Sequence, residues 1–203
     1  MAPTKDSSTT KRSSKATSKT TVIDAAIRLF DEFGVQKTSM ADIANEAGIS
    51  RKTLYRVYED RPTLIEDIIN QRLKAIGGRI RKKIAGFSDI EEALIEGSII
   101  SIAAARRDKL FNNIVRDETN HQLEQFLLSG GGTVNTDGLQ TWSPIMDKGR
   151  EDGLVRECLS NVRILELIVN VQALLLLRDE YGKDEQRKFL KDLLVPAVLK
   201  DQE

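Results

Sequence analysis

The chain of 203 residues carries 31 Lys and Arg residues against 31 Asp and Glu residues, and 40 % of its residues are hydrophobic, a balance typical of a soluble globular protein. Its single cysteine and single histidine exclude an internal disulfide, a Cys/His zinc cluster and a di-metal centre built from Glu-x-x-His pairs, so we expect neither metal nor cofactor. No stretch has the length and apolar character of a secretory signal or a bilayer span, so we expect a cytoplasmic protein with no membrane partner.

Residues 1–19 contain almost only Ser, Thr, Lys and Ala, so we expect a disordered tail that cannot form a core. The tail is basic, because only Asp6 opposes five cations, namely Lys5, Lys11, Arg12, Lys15 and Lys19. Residues 1–61 together hold 11 Lys and Arg residues against 8 Asp and Glu residues, so the basic surplus of the chain is N-terminal. Two interpretations stay open: the tail keeps the protein soluble, or it adds salt-dependent contacts to nucleic-acid phosphates.

Two amphipathic helices are predicted directly after the tail. The first begins near Thr20, ends at Gly34 and has an apolar stripe at helical spacing made of Val22, Ala25, Ala26, Leu29, Phe30 and Phe33. The second is opened by a capping box, in which Ser39 and Asp42 satisfy each other's backbone N–H groups, and it ends at Gly48.

A third short helix is predicted from Arg51 to about Tyr58, with Ser50 as its N-cap. Leu54 with Val57 or Tyr58 faces inward, and we expect Leu54 and Val57 to be the anchors. Because the second and third helices are only a turn apart, the pattern predicts a helix-turn-helix motif at about residues 39–58, within a DNA-binding domain over residues 20–78.

The rest of the chain also predicts helices and no strand, so the expected fold is all-α, with a larger helical domain over residues 79–203. Asp60 is suited to cap a fourth helix, in which Gly77-Gly78 marks either a hinge or, as we favour, the helix end. Ser88 and Glu91 form a second capping box. The first of the later helices is expected to follow the Ser88 cap and to run to about residue 105. The others are expected at about residues 108–128, 142–151, 161–181 and 184–199, with a bend at Pro196 and a flexible loop at residues 129–138.

The third helix exposes basic and aromatic side chains away from its predicted core. In a helix-turn-helix unit this helix enters the major groove of DNA. Arg pairs with guanine and Thr contacts thymine methyl groups, whereas Tyr and Lys more often hold phosphates. The alternative is a charged face that only contacts water. The predicted DNA contacts are Ser39, Ser50, Arg51, Lys52, Thr53, Tyr55, Arg56 and Arg61.

The stretch from Thr20 to about Ile69 resembles the TetR (tetracycline-repressor) family of bacterial transcription regulators. The resemblance rests on "AAIRLFDEFG", then "TSMADIANEAGIS", then "TLY" followed by an aromatic residue at position 58. Two departures from the family pattern matter: Lys52 stands where a small residue is common, and Val57 stands where His or Tyr is frequent. Arg61 stands where the family usually has Lys and keeps the charge.

The resemblance implies a ligand-responsive regulator, most often a repressor, that binds a near-palindromic double-stranded DNA operator as a homodimer. The dimer would form through the last two helices, about residues 161–200, and the apolar excess of residues 162–177 agrees with this. A small-molecule effector would bind the helical domain and release the DNA. Candidates for its pocket, each of which could equally fill core or face water, are Phe111, Arg116, Asn120, His121, Phe126, Trp142, Asn170 and Gln172.

An enzyme and a protein-binding adaptor are the two alternatives to a DNA-binding regulator. Cys158 and His121 could pair as nucleophile and base, but Cys158 lies near a polar turn with no evident orienting partner, so we do not expect an enzyme. A helical adaptor could bind another protein through the same basic face. The salt dependence of binding separates this alternative from DNA binding, because counterions compete for DNA phosphates.

Overall fold

The computed structural model describes the backbone of residues 8–115 and 136–200, and the side chains of residues 19–114 and 137–200. Every named element in these ranges is helical, which confirms the predicted all-α fold. One isolated antiparallel bridge joins Val155 to Leu199. The chain divides into two compact units, of which the first extends to Ile68 and the second begins at Ile69.

Three helices and the start of a fourth build the first unit, and they form because one stripe of each helix is apolar. They are α1 (Ser8–Phe33), α2 (Met40–Glu46), α3 (Arg51–Val57) and α4 (Arg61–Ile84). Helices α1, α2 and α3 pack on one another. The buried side chains that they share with the start of α4 include Val22, Ile23, Ala26, Phe30, Ile43, Leu54, Leu64, Ile65 and Ile68.

Two expectations about helix ends were wrong. Helix α1 begins at Ser8 and not near Thr20, so residues 8–19 are helical where we expected disorder. No glycine or proline interrupts this stretch, and its Ala, Lys and Arg residues are good helix formers. Residues 1–7 of the predicted tail lie outside the described residues.

Helix α4 also runs through Gly77-Gly78, where we favoured a helix end, and continues to Ile84. Two glycines cost a helix about 2 kcal/mol relative to alanine. Packing offsets this cost, because Ile76, Ile80 and Ile84 on either side of the glycines are buried. The predicted domain boundary after residue 78 therefore falls inside a continuous helix.

The second unit contains the rest of α4 and a set of shorter helices. A continuous segment is formed by α5 (Ile90–Glu92), the π-helical turn π1 (Ala93–Gly97) and α6 (Ser98–Arg107). The remaining elements are α7 (Lys109–Val115), α8 (Thr136–Glu151), α9 (Asn161–Leu176), α10 (Lys183–Phe189), π2 (Leu190–Leu194) and α11 (Val195–Val198). Helix α9 packs on α6 and α8, and π1 contacts π2.

The helix starts in this unit differ from the sequence expectations in detail. Asp89 caps α5 by accepting hydrogen bonds from the backbone N–H groups of Glu91 and Glu92, so Ser88 is not the cap. Helix α8 begins at Thr136, inside the predicted loop, while residues 116–135 lie outside the described residues. Pro196 lies in α11, directly after the π-helical turn π2.

A buried carboxylate joins α4 to the junction of α6 and α7. The side chain of Asp108 is only 2 % exposed. Arg72 donates to both of its oxygens, from Nε at 3.1 Å and from Nη2 at 2.8 Å, and Arg79 donates at 3.4 Å. Burial alone would raise the pKa of Asp108, but the hydrogen bonds from Arg72 and from the backbone N–H of Phe111 outweigh it and lower that pKa.

Gly97 in π1 allows a close helix–helix contact. A Cβ atom at this position would lie 2.6 Å from Cδ1 of Ile84 and 2.9 Å from Cη2 of Trp142. We therefore expect Gly97→Ala to lower the free energy of unfolding by about 1–3 kcal/mol through overpacking, measured by urea denaturation.

Gly78→Ala is the matched control for that prediction. A Cβ atom at Gly78 would meet nothing within 4 Å, so alanine should stabilise α4 by about 0.5–1 kcal/mol. Equal effects of the two substitutions would contradict the close contact at Gly97.

Candidate nucleic-acid interface

Side-chain caps fix the two helices of the helix-turn-helix motif. The Oγ atom of Ser39 accepts a hydrogen bond from the backbone N–H of Asp42 at 3.2 Å, and the backbone N–H of Ser39 donates to the Asp42 carboxylate at 2.9 Å. The predicted capping box is therefore confirmed. The hydrogen bond from the Ser39 hydroxyl lowers the pKa of Asp42. Gly48 ends this part of the motif with a φ of 66°, which favours glycine.

Ser50 caps α3, as predicted. Its Oγ atom accepts a hydrogen bond from the backbone N–H of Thr53 at 3.1 Å, and the hydroxyls of Ser50 and Thr53 lie 2.9 Å apart. Thr53 is half-buried. The hydroxyl groups of Ser50 and Thr53, two of the predicted DNA contacts, thus interact with each other at the start of α3, and their contact with DNA stays a prediction.

Tyr58 and not Val57 is the second anchor of α3. Leu54 is fully buried and Tyr58 is 1 % exposed, whereas Val57 is half-buried. The expectation of Val57 as anchor was therefore wrong: Tyr58, the C-cap of α3 with an extended backbone, is the more deeply buried of the two residues. The spacing from Leu54 did not separate the two residues, because positions three and four residues further on lie on the same face of a helix.

A polar contact holds the buried Tyr58 ring in place. Its hydroxyl donates a hydrogen bond to Asp67 of α4 at 2.7 Å. The Nζ atom of Lys19 lies 3.2 Å from the same carboxylate and 5.1 Å from the centroid of the Tyr58 ring. Burial raises the pKa of the Tyr58 hydroxyl, and the hydrogen bond to Asp67 raises it further. Residues of α1 and α4 thus both hold Tyr58 at the end of α3.

The outer face of α3 carries exposed side chains. Arg51, Lys52 and Arg56 are exposed, and Tyr55 is 51 % exposed. Among the described residues, Lys52 and Arg56 make no ion pair. Cations that are not neutralised within the domain are available to phosphates and base edges.

Arg61 has a partner inside the first unit. Its Nη2 atom donates a hydrogen bond to the backbone carbonyl of Val35, and its guanidinium carbon lies 5.9 Å from the centroid of the Phe30 ring. Asp60 caps α4, as predicted, by accepting a hydrogen bond from the backbone N–H of Thr63 at 2.8 Å. Arg61 therefore ties the start of α4 to the turn after α1, and its predicted phosphate contact stays a prediction.

Four of the candidate effector residues lie within the part of the chain that the structure describes. Phe111 and Trp142 are buried. Gln172 is half-buried and donates a hydrogen bond to the hydroxyl of Ser98 at 3.1 Å, whereas Asn170 is exposed. Arg116, Asn120, His121 and Phe126 lie outside the described residues.

Within residues 8–115 and 136–200, no group of His, Cys, Asp and Glu residues could hold a metal ion. Within the same ranges, no helix has the length and apolar character needed to span a membrane. Cys158 is an exposed free thiol.

The anchor of α3 gives a testable difference between two tyrosines. We expect Tyr58→Phe to lower the free energy of unfolding by about 1–3 kcal/mol, because it removes a hydrogen bond to a charged carboxylate. Tyr55→Phe, at an exposed position of the same helix, should change it by less than about 0.5 kcal/mol. Urea denaturation of both variants measures the difference, and equal stabilities would contradict the anchoring role of the Tyr58 hydroxyl.

Known proteins resemble this chain in sequence over the motif and beyond it. Residues 22–68 match the family model of bacterial regulatory proteins, tetR family. The HTH-type transcriptional repressor KstR2 of Rhodococcus jostii (strain RHA1) is 28 % identical over 147 residues, which is 71 % of each chain.

Solved structures resemble the chain along most of its length. Thermus thermophilus FadR, a TetR family transcriptional repressor in complex with lauroyl-CoA, gives a TM-score of 0.68 at 21 % identity, over 91 % of this chain and 97 % of that chain. RolR in complex with resorcinol gives a TM-score of 0.65 at 14 % identity, over 92 % of this chain and 90 % of that chain. At these identities the likeness shows the fold.

Proposed function

Because this chain belongs to the TetR family of bacterial regulatory proteins, whose members are DNA-binding transcription factors and not enzymes, we propose that it is a ligand-responsive repressor. It binds a near-palindromic operator as a homodimer and leaves the DNA when a small-molecule effector binds. The observation that carries the proposal is the capped and anchored α3, which exposes Arg51, Lys52 and Arg56 to solvent.

The proposed DNA contact follows from the physics of the groove. The major groove is about 12 Å wide and admits one helix, so α3 inserts with its exposed face toward the bases. Arg and Lys side chains at the edges of an inserted helix neutralise phosphates and release counterions. We place this activity in the cytoplasm, where the operator DNA lies.

An exposed apolar face on α9 supports a homodimer. Val162, Leu174 and Leu177 are all between 43 % and 46 % exposed, and Leu193 of π2 is 53 % exposed. Exposed apolar side chains that share a face mark an interface more often than isolated ones do. Asn170 lies one turn before Leu174, so we assign it to this face and not to an effector pocket. A twofold dimer presents two α3 helices to half-sites one DNA turn, about 34–36 Å, apart.

The effector belongs to the second unit in this proposal. The likeness to regulators bound to lauroyl-CoA and to resorcinol supports a small organic ligand. An effector releases DNA only if it binds the DNA-free state more tightly than the DNA-bound state. Gln172, which bonds Ser98 on the inner face of α9, and the buried Trp142 are the described candidates for contacts with it.

Footprinting of the DNA upstream of this reading frame, with and without candidate small molecules, tests the proposal. A protected near-palindrome that is released by one of the compounds is the expected result. Protection that no compound relieves would contradict the effector part, and no protection at the protein's own or neighbouring promoters would contradict the regulatory part.

The contribution of phosphate contacts to DNA binding is measured by how the binding constant depends on salt concentration. We expect Arg56→Ala to weaken binding to all DNA sequences alike and to reduce the slope of log K against log[salt] by about 1 per lost phosphate contact. Fluorescence anisotropy at several salt concentrations gives the slope. A slope near zero for the wild-type protein would instead favour the protein-binding adaptor.

A single charged substitution tests whether the exposed apolar face of α9 forms the dimer interface. Leu174→Glu should convert the dimer to monomer in sedimentation equilibrium, because a carboxylate buried without a partner is costly. Lys82→Glu on the exposed side of α4 is the control and should leave the dimer intact. A dimeric Leu174→Glu protein would place the interface elsewhere.

A further inference from the structure

The exposed part of α3 is narrower than the sequence suggested. Leu54 and Tyr58 are buried, and Thr53 and Val57 next to them are half-buried. Successive residues of an α-helix are rotated by about 100°. The exposed side chains therefore occupy an arc of roughly 140° around the helix axis. Their order around this arc is Arg51, Tyr55, Lys52 and Arg56.

Position within this arc separates two kinds of DNA contact. Arg51 and Arg56 lie at its two margins, whereas Tyr55 and Lys52 lie on either side of its middle. Of these two, Lys52 is the cation and lies within the first turn of the helix. A helix in the major groove has phosphates of the two strands on either side and base edges below it. The marginal arginines thus reach phosphates, and the central lysine reaches base edges.

Nothing in the described structure holds Lys52 away from a base. Its side chain is exposed and makes no hydrogen bond or ion pair among the described residues. Thr53, which the sequence offered for base contact, has its hydroxyl 2.9 Å from that of Ser50 and is half-buried. Of the exposed side chains near the middle of this face, the cation of Lys52 is therefore the one available to a base edge.

We propose that Lys52 is a specificity-determining residue, which donates hydrogen bonds to N7 and O6 of one guanine in each operator half-site. The inference rests on the proposed function and names what the DNA-binding site reads. In the major groove guanine presents two acceptors, whereas adenine presents one acceptor and one N–H donor that repels an ammonium group. Two expectations from sequence, that a lysine here holds a phosphate and that an arginine pairs with guanine, are replaced by this assignment.

Selection from a random double-stranded DNA library tests the proposal with the full-length protein. The wild-type protein should enrich a palindrome with one fixed guanine in each half-site. Lys52→Ala should lose the preference at that position only, and Lys52→Arg should keep it, since arginine also pairs with guanine. Arg56→Ala should keep the guanine while binding all sequences more weakly.

Base analogues in the selected oligonucleotide locate the contact. Replacing the guanine by 7-deazaguanine removes the N7 acceptor and should weaken wild-type binding by about 5- to 150-fold. Lys52→Ala should bind both oligonucleotides equally. Inosine keeps N7 and O6 and lacks only the minor-groove amino group, so it should leave wild-type binding unchanged.

Two results would separate the possible failures. If Lys52→Ala keeps the guanine preference, or loses affinity equally for all sequences, Lys52 does not read the base and the inference is overturned. If the wild-type protein enriches no sequence at all, the proposed operator-binding function itself fails. Circular dichroism of each variant shows that the fold is retained, as expected for an exposed side chain without partners.

Discussion

The burial of Leu54 and Tyr58 against the rest of the first unit determines which side of α3 faces outward. The two side chains lie one helical turn apart, and the Tyr58 hydroxyl is held by Asp67 of α4. A helix of seven residues is too short to be stable alone, so its orientation depends on this tertiary contact. The positions of Arg51, Lys52 and Arg56 follow from it.

Helix α4 is the element common to both units, since residue 68 ends the first unit within that helix. In the second unit, Arg72 and Arg79 bind the nearly buried Asp108 carboxylate. The removal of one partner from such a pair leaves a charge without compensation, which is far more costly than the loss of a surface ion pair. The glycine pair at positions 77 and 78 is tolerated because buried isoleucines flank it on the helix.

Local interactions were predictable from the sequence in this protein. The caps at Ser39, Ser50 and Asp60 involve atoms at most three residues apart, so the residue pattern was sufficient. An effector pocket, in contrast, is formed by contacts between segments that are distant in sequence, so its residues could not be identified from the local pattern. The pattern did not distinguish the exposed Asn170 from Gln172, which lies two residues further on and bonds Ser98.

The sequence by itself determined the helical class, the helix-turn-helix motif and the family, because periodicity, caps and motif spacing are local properties of the chain. Only the tertiary structure decided that Tyr58 anchors α3, that Arg61 bonds Val35, that Thr53 is occupied by the Ser50 cap and that Lys52 is central on the exposed face. The contacts of Tyr58 and Arg61 depend on residues that packing brings together. The position of Lys52 on the exposed face depends on how many residues of α3 the neighbouring helices cover. A sequence pattern identifies the apolar face of a helix, but packing against neighbouring helices determines which residues at the edges of that face are buried.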